Sequence, residues 1–294
     1  MEYLVHLATL LAIFLILATS LDLLVGYTGL LSLAHAVFFG IGAYASALLT
    51  TQLGWPPFLA ILIGMLAAAL VSAIIALPSI RVHDIYLLII TIAVQIVFTT
   101  VLLNWTSVTG GPAGVPRIPR LSVFGYPLSG YSFLVFAVMS MAIWLYLFWI
   151  LVRTPFGRLL QAVRDDETGC RVLGKNVAAT KIVIFAFSAT AAAFAGSLYA
   201  HYASYVDPTG FDINVSILIL LMVMLGGAGT LKGPVFGTVI LMLLPEALKF
   251  TPLPTGVAAP AQQLLYGVLL VLVVYFRPQG LFGKSRRTAV ATAH

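Results

Sequence analysis

Residues 153–176 read RTPFGRLLQAVRDDETGCRVLGKN, the one long polar block in a chain that is otherwise almost continuous hydrocarbon. Of the 294 residues, 61% are apolar and only 8% are charged. Soluble domains carry about 25% charged residues, and a chain this poor in charge could not keep a folded surface wet. The segments flanking the block therefore read as membrane spans, and the block as a segment held outside the bilayer. It is the surface best suited to meet a soluble partner.

Outward from the block, the apolar runs last about 17–25 residues, the length a helix needs to cross the hydrocarbon core. A β-barrel would instead alternate over segments of about 10 residues. With a mean hydropathy of +1.09, the expected fold is an all-α polytopic membrane protein forming a single transmembrane domain over residues 1–294. Nine spans are expected, over 4–24, 33–51, 57–79, 86–104, 131–152, 182–203, 213–228, 234–250 and 262–277, with one further re-entrant segment possible at 26–36. Trp55-Pro56-Pro57 breaks the second run from the third, and Arg81-Val82-His83-Asp84 the third from the fourth. The Gly- and Pro-rich segment 105–130 reads as an ordered external loop. No Lys or Arg precedes the first apolar run, where a secretory signal wants a basic flank, so that run is expected to stay as a span.

Basic residues set the orientation. Arg153, Arg158, Arg164, Arg171, Lys175 and Lys181 cluster in a 153–181 loop, and Arg277, Lys284, Arg286 and Arg287 at the C-terminus. Placing both clusters and Arg81 and Lys232 in the cytoplasm leaves only Arg117, Arg120 and Lys249 outside, as the positive-inside rule prefers. The 278–294 tail is then cytoplasmic and the N-terminus external. The basic balance comes from these loops and not from a nucleic-acid face.

Two Gly-rich segments interrupt the apolar pattern. GYTGLLSLAH (26–35) and LGGAGTL (225–231) share a Gly-x-x-Gly-x-Leu spacing. Irregular backbone at membrane depth survives only where protein or a water-filled cavity surrounds it, and broken helices of this kind build binding sites and gates in transporters. Small residues also simply let helices approach closely. The candidates for a translocation path or gate are Gly26, Gly29, Ser32, His35, Gly226, Gly227 and Gly229. The intramembrane ionisable residues Asp22, His35, His201 and Glu246 fit packing or interfacial roles better than substrate contact.

Within the polar block, Pro155 suits a helix start and Gly174 with Asn176 its end, so one helix is expected across Arg158 to Leu173. Leu159, Ala162, Val163, Val172 and Leu173 would form its apolar stripe. The acidic trio Asp165-Asp166-Glu167 could hold Mg²⁺ only with a second acidic cluster, and the sequence has none. There is no Walker-type loop for ATP and no set of residues with metal-ligand spacing. Cys170 has no partner and reads as inert. No cofactor, metal or catalytic residue is expected.

Taken together, GYTGLLSLAHAVFFGIGAYASALL (26–49), TGGPAGVPRIP (109–119), the 153–176 block, KIVIFAFSATAAAFAGSLYAHY (181–202), MLGGAGTLKGPVFG (224–237) and YFRPQGLFG (275–283) resemble the permease family of branched-chain amino-acid ABC importers. The closing RPQGLFG resembles its LivM type more than its LivH type. The resemblance implies an inner-membrane transport subunit, not an enzyme. Its partners would be a LivH-like permease, two ABC ATPases, an external binding protein, an amino acid and membrane lipid. It also implies that the block carries a variant of the permease-to-ATPase coupling motif, with Gly157, Arg158, Arg164, Asp165, Asp166, Glu167, Arg171, Gly174 and Asn176 as the coupling residues. Thr168-Gly169 replaces the motif's Ala-Ala, and Gly174 falls seven residues after Glu167 where the general motif has six. Urea or short-amide importers share much of the pattern. An ion-coupled secondary transporter would more naturally place charges in mid-span.

Overall fold

A computed structural model describes residues 2–79, 84–123 and 126–249, together with Leu264, Gly267, Val268, Val271 and 280–282. The expected ninth span is otherwise outside the described residues, as are Arg81 and the basic residues of the tail. The helices are α1 (Glu2–Thr28), α2 (His35–Thr51), α3 (Pro57–Ser79), α4 (Asp84–Asn104), the short α5 (Thr106–Thr109), α6 (Tyr131–Arg153), α7 (Pro155–Asp165), α8 (Glu167–Val172), α9 (Val177–Ala203), α10 (Ile213–Gly226) and α11 (Lys232–Lys249). Among the described residues, five helices are long and apolar enough to cross a membrane: α1, α3, α4, α6 and α9.

Helix α9 is the central post. It packs along α2 and α3 and crosses α1, while α10 and α11 pair and lean on α1. Close approach needs small residues. Ala189, Ala193 and Ala200 lie fully buried on α9 beside buried Gly196, and a Cβ on Gly196 would run into the carbonyl of Phe39 on α2. Where helices come this close, side-chain hydroxyls replace bulk as the tie. Ser197 donates to Gly42 O (3.0 Å), and Ser188 donates to Ser20 O (2.6 Å).

Two apolar helices, α2 and α10, fall short of a full span at 17 and 14 residues. Their N-termini meet beside Gln95, halfway along α4. Gln95 Nε2 donates to Phe211 O (2.8 Å), and its Oε1 accepts from Ser216 Oγ (3.1 Å). Ser216 Oγ in turn accepts from Ala36 N (3.0 Å), and Thr91 Oγ1 accepts from Leu33 N (3.1 Å). Helix starts leave backbone N–H groups without partners, and at membrane depth water does not supply them. Here Ser216 and Thr91 supply acceptors at the start of α2, Asp212 caps α10 through Val215 N (3.1 Å), and Gln95 ties the two starts together. From this level α2 runs toward the end that carries Glu2 and residues 105–130, and α10 toward the end that carries Thr28 and the polar block.

The described residues of the 105–130 segment carry α5 and short strands. Strand β1 (Val115–Pro116) pairs antiparallel with β4 (Tyr205–Val206), and β2 (Ser122–Val123) pairs with β3 (Tyr126–Pro127). His201 pins this segment to the bundle. Its Nδ1 donates to Pro119 O (2.7 Å), and its Nε2 meets Ser46 Oγ (2.8 Å).

Candidate coupling and gating site

The polar block folds as a helical hairpin, not as the single helix expected. Thr154 caps α7, accepting from Gly157 N (3.3 Å), with Pro155 at the first helical position. Pro is pre-organised for that position and its missing N–H costs nothing there. Gly157 lies against the carbonyls of Leu151 and Val152, where α6 turns into α7. The break falls at Asp166, which adopts φ −152° and ψ 95° and closes α7. Its carboxylate accepts from Gly169 N (2.9 Å), so the same residue opens α8. Asp favours this capping role over a helix interior because its short side chain competes for backbone N–H groups. Gly174, at φ +73°, ends the hairpin. Asn176 belongs to the next element, capping α9 through Ala179 N (2.9 Å).

The hairpin is knotted to the bundle by Glu167. Its two carboxylate oxygens accept from Arg171 (2.6 Å) and from Lys181 at the foot of α9 (2.9 Å). A small apolar cluster of Val163, Cys170 and Val177, with Leu159 against it, fills the hairpin's interior. Leu160 is fully buried against the bundle. The expected apolar stripe therefore divides: Val163 and Leu159 face inward, whereas Ala162, Val172 and Leu173 are exposed. Val172 and Leu173 are 82% and 77% exposed at the hairpin's tip, beside Arg171, Gly174 and Lys175. Arg158, Asp165 and Asp166 are exposed as well.

Arg164 turns the other way. Its Nη1 donates to Gly26 O (2.6 Å) near the end of α1, and its Nε to Asp165 Oδ1 (3.2 Å). One helical turn back on α1, Asp22 is 2% exposed and its Oδ1 accepts from Gly229 N (2.8 Å). Gly26 and Gly229 abut so closely that a Cβ on Gly26 would overlap the Gly229 backbone. Gly29, in the left-handed region at φ +74°, packs under the Arg164 side chain, where a Cβ would come 2.9 Å from its Cγ. The two Gly-rich segments thus meet at the block end of α1, and Arg164 sits on the junction.

Other candidates lie elsewhere. Ser32 Oγ accepts from Ala34 N (3.3 Å). His35 is fully buried and pairs through Nε2 with Ser20 Oγ (2.6 Å), whose own proton goes to Leu17 O (2.7 Å). Gly226 and Gly227 receive the C-terminal motif: Leu281 N donates to Leu225 O and Phe282 N to Gly226 O, both at 2.9 Å. Phe282 stacks on Phe236 at 4.5 Å between centroids.

Residues 3–274 match the family described as branched-chain amino acid transport system / permease component. The chain belongs to this permease family. The permease is 33% identical to the high-affinity branched-chain amino acid transport system permease protein LivM of Escherichia coli (strain K12), over 96% of this chain and 70% of that protein. It is 28% identical to a probable LivM of Methanocaldococcus jannaschii, over 86% of this chain and 80% of that protein. An autoinducer 2 import system permease protein LsrC from Escherichia coli O9:H4 shares 26% over 60% of this chain and 51% of its own length. No solved structure matches the permease significantly. Its relatives are transport subunits, so its work is passage of solute, not catalysis, beside other components of an ABC system.

Membership leaves the geometry to say which residues of the permease act. Sequence reasoning placed Arg164 among the coupling residues and Asp22 in a packing or interfacial role, outside the gate. A buried carboxylate in an apolar helix was the available signal, but its partner lies 207 residues away. Gln95, Thr91 and Ser216 were missed altogether, because uncharged polar residues stand out little in an apolar run. Toward the opposite end, a cavity of ≈ 590 Å³ opens between α1, Arg120, residues 128–131 and the end of α9, with Glu2, His6 and Tyr202 also in its wall.

Proposed function

We propose that this permease forms one half of the transmembrane pathway of an ATP-driven importer for branched-chain or similar amino acids in a bacterial cytoplasmic membrane. A LivH-like permease supplies the other half, an external binding protein delivers the amino acid to the 105–130 side, and two ABC ATPase subunits hold the hairpin. The N-terminus is external, the 278–294 tail is cytoplasmic, and the chain crosses nine times.

The observation that carries this reading is the division of the hairpin. Its inner face is anchored to the bundle through Leu160, Glu167 and Arg164, while Val172 and Leu173 project from its tip at 82% and 77% exposure. Large apolar side chains held outside the membrane and ringed by Arg171 and Lys175 suit a groove on a soluble subunit. The junction of Gly26, Gly29 and Gly229 then serves as the inner gate. Its backbones are in contact, so a small movement of the hairpin opens or closes it. Packed elements of this kind switch between discrete arrangements and amplify small shifts.

Purification of the tagged chain in mild detergent, followed by leucine uptake into proteoliposomes of the recovered complex, tests the proposal. The expected result is a second permease, two ATPases and ATP-dependent uptake that excess leucine, isoleucine or valine suppresses and excess urea does not. Uptake by the isolated chain without any ATPase would overturn it.

A further inference from the structure

The bond from Arg164 to Gly26 has an unmatched neighbour. Asp22 Oδ1 accepts from Gly229 N, whereas Asp22 Oδ2 is buried and has no hydrogen-bond partner among the described residues. A buried polar atom without a partner forfeits the full cost of its desolvation, and a carboxylate at membrane depth calls for a specific partner. Asp22 and Gly26 are four residues apart on α1 and so share a face, about 5.4 Å apart along the axis. The Arg164 guanidinium reaches the nearer of the two positions. In this arrangement its Nη1 meets a neutral carbonyl and its Nε the exposed carboxylate of Asp165, while a buried carboxylate stands one turn away, half satisfied.

We infer that Arg164 is the positioning residue that links the hairpin to the inner gate, and that Asp22 receives it in the alternate state of the transport cycle. When the hairpin shifts, Arg164 leaves Gly26 O and pairs with Asp22 Oδ2. Two consequences follow from the geometry. Gly26 loses the contact that presses it toward Gly229, and the Asp22 carboxylate, now charge-paired, relaxes its hold on Gly229 N. Both events loosen the same backbone junction. A pair with Asp22 Oδ2 adds a Coulombic attraction between opposite charges that the bond to Gly26 O lacks, so the two positions of Arg164 form a bistable element that the hairpin can bias. A permanent salt bridge to Asp22 would lock the gate.

This inference rests on the reading of the chain as an ATP-driven permease. The test therefore reads ATP hydrolysed per leucine carried, in proteoliposomes of the complete importer with its binding protein. Arg164→Ala should raise that ratio by about 5- to 150-fold, the span of ordinary coupling free energies. Asp22→Asn keeps an acceptor for Gly229 N but loses the charge, and should raise it as well. Since both variants break one exchange, the double variant should be no worse than the more damaged single one, a non-additivity expected of directly coupled residues. Arg164→Lys, which keeps the charge, should recover part of the coupling. A proportionate loss of transport and hydrolysis in Arg164→Ala, or wild-type stoichiometry in Asp22→Asn, would overturn the inference. Should Arg164→Ala not assemble, Asp22→Asn and Arg164→Lys still decide it. Failure of the amino-acid reading shows separately, as wild-type vesicles that take up no leucine.

Discussion

Lys181 Nζ lies 2.9 Å from Glu167 Oε2, joining the tip helix of the hairpin to the foot of α9. The lysine side chain is only 5% exposed, the glutamate 34%. Reversing charge in Glu167→Lys would set three cations together, with Arg171 as the third. Read from the sequence alone, that substitution tests docking to an ATPase. With Glu167 spent inside the hairpin, it tests the hairpin's own fold first. Loss of a charged hydrogen bond to a buried amine costs about 1–3 kcal/mol. Glu167→Lys should therefore raise hydrogen exchange across 166–176 in the isolated permease, before any ATPase is added. Protection equal to wild type would show that the pair does not hold the loop.

The cleaner docking test lies at Val172 and Leu173. Both are almost fully exposed, so their replacement should leave stability within about 0.5 kcal/mol. Apolar anchors at the centre of an interface are worth about 2 kcal/mol or more. Val172→Asp and Leu173→Asp should thus yield a folded permease that recovers far less ATPase on purification and transports little. Normal recovery of the ATPase by both variants would place the docking surface elsewhere on the hairpin.

Length and hydropathy made the five long apolar helices α1, α3, α4, α6 and α9 legible, because crossing hydrocarbon imposes one requirement on every residue of a helix. Helices α2 and α10, expected as full spans, are shorter. Breaks were legible where Pro or Gly marked them, as at Trp55-Pro56-Pro57 and Gly174. The split at Asp166 was not. In the run Asp165-Asp166-Glu167 each residue can cap a helix or ride its surface, and the burial of Val163 and Cys170 decides which one does. The direction of Arg164 was hidden for a related reason. A charge in a polar stretch reads as solvated, and only the packing of α7 against α1 aims it at Gly26. The Gly-rich segments were recognisable as irregular, but their meeting at Gly26 and Gly229 depends on contacts across most of the chain.

That meeting makes a steric prediction. A methyl group on Gly26 would overlap the Gly229 backbone and crowd the Asp22 carboxylate. Overpacking of this sort costs about 1–3 kcal/mol where neighbours cannot yield, and a backbone yields less than a side chain. Gly26→Ala should lower the thermal midpoint of the purified permease and abolish transport while Val172 and Leu173 still recover the ATPase. An unchanged midpoint with full transport would mean that the two segments do not touch in the membrane.

The junction of half-length helices at Gln95 makes a different kind of claim, about cooperation. Hydrogen bonds between membrane helices average only about 0.6 kcal/mol, because groups in the unfolded reference state also find partners. Ser216 does more than an average residue: its hydroxyl serves Ala36 N at the start of α2 and Gln95 on α4 together. Removing it leaves a buried backbone N–H and an amide oxygen each short of that partner. Ser216→Ala should therefore cost about 1–3 kcal/mol, as expected when buried groups lose their acceptor or donor. Gln95→Leu removes two further bonds, one of them to Phe211 O. If α2 and α10 are seated by a single network, the double variant should fall short of the sum by about 0.5 kcal/mol or more. Denaturant titration of the four proteins measures it, and strict additivity would mean that each helix start is satisfied on its own.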